Sequence, residues 1–92
     1  MSDSVQLMRD TTLHLINEIR ECGFREYADT LRDLLQYDVG ASYGMAVDLI
    51  CDEGAVTITP ESIDLAKKVY EHEPDSYDEL HELEEAFTRQ SQ

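Results

Sequence analysis

Two helical stripes joined by a single glycine restrict this chain more than any other feature. In "ECGFREYADTLRDLL", residues 21–35, Phe24, Tyr27, Ala28, Leu31, Leu34 and Leu35 recur at i, i+3, i+4, i+7, i+10 and i+11, with Glu26, Asp29, Arg32 and Asp33 opposite them. Upstream, Val5, Met8, Thr12, Leu15, Ile16 and Ile19 keep the same period, and Arg9, Asp10, Asn17, Glu18 and Glu21 fall on the side expected to face water. Ser2, Asp3 or Ser4 can cap this first helix. Gly23 suits the left-handed position just beyond its end, and Phe24 can fold back onto the last turn. A hinge that short sets the two helices against each other and predicts an all-α fold.

The rest of the chain continues in helical units. "QYDVGAS" breaks the pattern at Gly40, after which Tyr43, Ala46, Val47 and Ile50 form a third stripe ending near "CDEG", with Asp52 and Glu53 in an acidic turn. Gly44 inside that stripe predicts a close helix crossing over Gly44 and Ala46, since glycine otherwise weakens a helix by about 1 kcal/mol relative to alanine. Val56 and Ile58 are too few for a sheet and read as an apolar connector that plugs the core. Thr59, Pro60 and Glu61 mark a helix start: a capping hydroxyl, a proline suited to the first turn and a carboxylate at the positive end of the dipole. Ile63, Ala66, Val69 and Tyr70 face inward on this fourth helix, which should stop before "EHEP". Asp75 or Ser76 caps a fifth, whose buried edge is Tyr77, Leu80, Leu83 and Phe87, and residues 88–92 are expected to fray. The prediction is one domain, residues 1–92, folded as a single compact bundle of about five short helices.

Charge narrows the choice of partners. The chain has 21 acidic and 7 basic side chains, a net charge of −14. Residues 1–37 hold 7 acids and 4 bases, whereas residues 38–92 hold 14 and 3. Between Lys68 and Arg89 no Lys or Arg occurs, while Glu71, Glu73, Asp75, Asp78, Glu79, Glu82, Glu84 and Glu85 do. Such a surface repels nucleic acid and anionic membrane and attracts basic proteins. No apolar run is long enough to span a bilayer and no secretory leader is visible, which predicts a soluble, cytoplasmic protein. Cys22 and Cys51 are then expected as reduced, buried, apolar groups.

Catalytic and metal chemistry find little footing. "CDEGAVTITPES" superficially resembles a calcium loop, but Gly54 in the sixth place puts Leu49 and Cys51 where oxygen ligands are needed. His14, His72, His81, Cys22 and Cys51 include no pair at a spacing that preorganises zinc. Asp78 and His81 in "DELH" sit one turn apart, as in carboxylate-bridged metal bundles, but no second such pair exists, so His72 and His81 read as surface residues. There is no G-x-S-x-G and no phosphate-cradling glycine loop. The expectation is a protein that is not an enzyme and takes no metal or other cofactor.

An acidic field with tyrosines in it remains. Tyrosine beside carboxylates suits a protein interface, because the ring offers rigid apolar area while the acids steer a basic partner. Tyr27 and Tyr70 are expected to pack their rings inward, leaving Tyr43 and Tyr77 as the better candidates for exposed anchors.

The segment "YGMAVDLICDEGAVTITPESIDLAKKVYE", residues 43–71, resembles the MafI-type immunity proteins of bacterial polymorphic toxin systems. Their pattern of a "YGLA" segment, an apolar run, an acidic turn and an isoleucine-rich connector falls here on Tyr43, Gly44, Ala46, Leu49, Ile50, Asp52, Glu53, Ile58 and Ile63. "DSYDEL" at residues 75–80 is also similar, and the likeness spans roughly residues 31–83. The acidic residue expected just before the tyrosine is Ser42 here. The resemblance implies a protein that binds and neutralises a cognate toxin, often a nuclease, whose basic groove an acidic helical face can occupy or flank.

The binding face expected on these grounds comprises Glu71, Glu73, Asp75, Asp78, Glu79 and Glu82 for charge and Tyr77 as anchor, with Asp52 and Glu53 at the rim. The competing expectation is an acidic DNA mimic of the phage type, which blocks a DNA-binding protein by copying phosphate spacing. That requires acids spread evenly along the molecule, and the near-balance of residues 1–37 opposes it.

Overall fold

Five helices run in the order α1 (Asp3–Glu21), α2 (Arg25–Leu35), α3 (Val39–Glu53), α4 (Pro60–His72) and α5 (Tyr77–Gln90), with a 3-10 turn at Pro74–Ser76 leading into the last. This computed structural model describes residues 3–54 and 56–91, without the side chains of Asp3 and Glu53. The expected capping residue Ser2 and the cap and rim roles of the Asp3 and Glu53 side chains therefore lie outside what is described, and Ser4 is already inside α1. No strand occurs among the described residues.

Gly23 does what its position requires. Its φ is +99°, and the N–H of Phe24 donates to Ile19 O while that of Gly23 donates to Arg20 O, which closes α1 with the paired bonds of a Schellman end. The chain reverses there and α2 lies back along α1, tied across the surface by Arg20 to Asp29 at 2.8 Å. Helix α3 starts earlier than expected. Asp38 Oδ1 accepts from Ala41 N at 3.0 Å, so Gly40 sits inside the first turn instead of breaking the helix. Asp52 likewise belongs to the last turn of α3, and the break comes at Gly54, left-handed at φ +65°. Thr59 caps α4 as anticipated, its Oγ1 accepting from Ser62 N.

Helix α1 is the hub, packed against α2, α3 and α4; α3 also packs on α2 and on α5, and α5 returns along α4. Leu15, Ile16 and Ile19 from α1 meet Leu31 and Leu35, Tyr43, Val47 and Ile50, Val69 and Leu83, all buried. Complete burial of one such aliphatic side chain is worth about 1.5–3 kcal/mol. The connector behaves as a plug: Val56 and Ile58 are both buried.

Several expectations are corrected by this packing. Glu18 is buried, because α4 covers the flank of α1 that its charge had assigned to water, while Val5 is exposed. Tyr43 is the core tyrosine and Tyr27, Tyr70 and Tyr77 are exposed, so the inward roles given to Tyr27 and Tyr70 and the buried edge given to Tyr77 do not hold. Cys22 is exposed and Cys51 only partly covered. Among the described residues no atom of another element comes within 4 Å of where a Gly44 Cβ would sit, so no helix crosses closely there. Helix α4 continues to His72, and α5 runs to Gln90, past residue 88 where fraying was expected; residue 92 lies outside what is described. Ser76 stands at the N-cap of α5, but its hydroxyl donates back to Glu73 O at 2.8 Å and does not cap.

Candidate functional site

Helix α3 lies between α2 and α5, and its two faces divide cleanly. Tyr43, Ala46, Val47 and Ile50 turn inward, while Met45, Asp48, Leu49 and Asp52, at i, i+3, i+4 and i+7, form the opposite stripe. On the α5 side Asp48 meets Asp78, Glu79 and Glu82 in an acidic seam, with Asp52 one turn further along α3 beside Cys51. Burial raises the carboxyl groups of Glu79 and Glu82 above their ordinary range, and neighbouring charges push the same way: Asp48, Glu79 and Asp78 on Glu82, and Asp78 and Asp48 on Glu79, whose own backbone amide pulls partly back. Among the described residues no Lys or Arg pairs with any of these acids; the Lys or Arg ion pair that does form is Arg20 with Asp29.

Beneath the seam, the Tyr43 hydroxyl is buried without a hydrogen-bond partner among the described residues. Burial, then the charge of Glu79, raises its pKa far above the ordinary value, so it stays protonated. Cys51 closes the other end of the seam. Its Sγ donates to Glu82 O at 3.5 Å.

An aromatic strip flanks the acids where α4 hands over to α5. Tyr77 is 52% exposed; its ring lies 5.7 Å from that of Tyr70 and stacks at 14° on the His81 ring, 5.8 Å away. Bracing on both sides holds Tyr77 in place at the surface, which lowers the entropy lost when a partner covers it.

Of the residues expected from the sequence, Asp52, Asp78 and Glu82 are exposed and Glu79 is half-buried on the α3–α5 side, whereas Tyr77, also exposed, packs toward α4 on Tyr70. Glu71, exposed, Glu73, half-buried, and Asp75, exposed, lie instead around the α4–α5 turn. Asp48 was missed, although its spacing of three from Met45 and four from Asp52 places it on the outward stripe.

A second polar cluster, also missed, joins α1 to the start of α4. Glu18 accepts from Thr59 Oγ1 and from Ser62 Oγ, each at 2.7 Å. His14 bridges Glu18 at 3.4 Å and Glu61 at 3.5 Å, with its Nε2 also 3.5 Å from Thr59 Oγ1. The arrangement superficially resembles a nucleophile, a base and an orienting acid. Thr59 Oγ1, however, donates to Glu18 while accepting from Ser62 N, so it is occupied as a cap. The cluster serves the fold. Among the described residues no group of three or more His, Cys, Asp or Glu is placed to hold a metal ion, and no helix is long and apolar enough to cross a membrane.

No protein-family model matches the chain, and no curated protein and no solved structure matches it.

Proposed function

We propose that this chain is a binding protein that neutralises a basic toxin domain, as the immunity proteins it resembles in sequence do, and that it acts without chemistry of its own. The partner seats on the α3–α5 seam, Asp48, Asp52, Asp78, Glu79 and Glu82, with Tyr77 as the aromatic anchor beside it. The observation that carries this reading is the crowding of acids without a Lys or Arg ion pair among the described residues. Glu79 and Glu82 hold their protons more tightly, first because burial strips water from them and then because Asp48 and Asp78 lie beside them, Glu82 also sharing a hydrogen bond with Asp48. A basic surface supplies compensating charge, so the repulsion carried by the free protein becomes attraction on binding. With a net charge of −14, the chain also speeds the encounter with a cationic partner at low salt.

The test is to purify the protein encoded beside this gene, measure its toxicity, and measure binding and inhibition by this chain. The wild type should bind and inhibit, with an on-rate that falls steeply with salt. Asp48→Asn with Glu82→Gln should slow association about tenfold and flatten the salt dependence. A neighbour that is not toxic, or is toxic but neither bound nor inhibited, defeats the reading.

A further inference from the structure

An open groove of about 300 Å³ lies on the other side of the α3 stripe, between α2 and α3. Tyr27, Leu31, Met45, Asp48, Leu49 and Asp52 line it; Leu31 is buried, Leu49 half-buried, and Asp48 and Asp52 are exposed. Tyr27 and Met45 are each 51% exposed. The Tyr27 ring is steadied by that of Phe24, 6.0 Å away, so one lining residue is rigid and another, a methionine, adapts to what enters. Sites for small molecules start at about 300 Å³ and enclose most of the ligand. An open groove at that lower limit suits a single side chain better.

We infer that this groove takes one long apolar side chain, of the leucine, methionine or phenylalanine class, from a basic protein segment whose flanking Lys or Arg residues meet Asp48 and Asp52. The inference rests on the proposed function, since Asp48 belongs to both the seam and the groove lining, and it adds where the partner's apolar contact is made. Charge selects the occupant. A second copy of this chain would bring Asp48 and Asp52 against acids of the same sign in a two-fold contact, whereas a cationic segment pairs with them while its apolar residue covers Met45 and Tyr27. Interfaces gain most of their affinity from such a central anchor, and rim charges set rate and register.

Two synthetic peptides of identical Lys and Arg content test this, one with a central leucine and one with alanine there, titrated into the labelled protein at low salt and followed by NMR. The leucine peptide should bind about tenfold more tightly, with shift changes concentrated at the Met45 methyl and Tyr27 ring. The exposed-residue variant Met45→Gln with Tyr27→Ser should reduce it to the alanine peptide's affinity and leave the latter unchanged. Equal affinity for both peptides, weakened by Asp48→Asn with Glu82→Gln, overturns the groove assignment and leaves the basic-partner reading standing. Shifts centred on Tyr77 and His81 overturn it in the same way. Self-association of the free protein that Met45→Gln abolishes gives the groove to a second copy and overturns it too. If neither peptide binds, the groove assignment fails, while the proposed function is decided by binding and inhibition of the neighbouring gene's product.

Discussion

Ser62 Oγ donates to Glu18 Oε1 at 2.7 Å, joining residues 44 apart in the chain. Glu18 is 8% exposed, and Thr59 Oγ1 takes its other oxygen, so one carboxylate gathers the first turn of α4 onto the side of α1. Hydrogen bonds to a charged group are worth about 1.5–3 kcal/mol each, and a buried hydroxyl left unpaired is penalised. Glu18→Ala should therefore lower stability by about 3 kcal/mol in urea unfolding. Glu18→Gln, which keeps one acceptor, should lose about half as much. A Glu18→Ala variant within 0.5 kcal/mol of the wild type would show that Thr59 and Ser62 satisfy each other across their 3.2 Å contact.

Gln90 performs a similar task from the far end of the chain. Its Nε2 donates to Val56 O at 2.7 Å and its Oε1 accepts from Ile58 N at 2.9 Å. One amide thus replaces a missing strand for the connector. Gln90→Ala should destabilise the fold by about 1–2 kcal/mol and speed hydrogen exchange at the Ile58 amide. Unchanged exchange there would mean that the clamp does not hold the connector.

Helical period carried most of the fold in advance, because six-residue stripes such as Phe24 to Leu35 leave only one face to bury. It failed where one residue carried two signals. Glu18 has the inward phase of Thr11, Leu15 and Ile19 but the charge of a surface residue, and the hydroxyls that accept burial with it come from a helix 41 and 44 residues away. Tyr43 and Tyr27 look alike in sequence. Which of them is buried depends on α3 being overlaid by α5 while the α2 flank stays open. The acids of α5 were legible, but not Asp48, since the seam exists only once α3 and α5 lie side by side.

Gly44 offers a clean gain. It sits inside α3 with no atom of another element, among the described residues, within 4 Å of an added Cβ, and its φ is not positive. Gly44→Ala should raise stability by about 1 kcal/mol through helix propensity alone. A loss on thermal unfolding would reveal a close contact over that position after all.

The seam should make stability depend on pH in an unusual direction. Glu79 and Glu82 bind protons more tightly folded than at their ordinary 4.5, so the native state gains stability as pH falls from neutral toward 4.5 and loses it as pH rises through the raised values. Urea midpoints should be higher at pH 5 than at pH 7. Glu79→Gln with Glu82→Gln should shrink that difference. Asp78 and Glu82 are like charges one turn apart, so Glu82→Gln alone should add about 0.2–0.5 kcal/mol at pH 7. A wild type less stable at pH 5, with the double variant unchanged, would contradict the repulsion assigned to the seam.

Cys51 makes that field measurable. Burial first, then the charges of Glu82, Asp48 and Asp52, raise its thiol to about 11, while Arg89 opposes them. At pH 8 about one Cys51 in a thousand is then thiolate, the form that reacts, whereas Cys22 is exposed. Labelling with a disulfide reagent at pH 8 should show one fast thiol and one much slower, and Cys22→Ser should leave only the slow phase. Two charge changes should move that phase in opposite directions. Glu82→Gln removes a negative neighbour and should accelerate it, whereas Arg89→Gln removes a positive neighbour and should retard it. Local opening of the α3–α5 contact predicts something else, because loosening α5 by either change would accelerate labelling. Acceleration by both variants would therefore assign the slow phase to opening, and opposite shifts assign it to the charge of the seam.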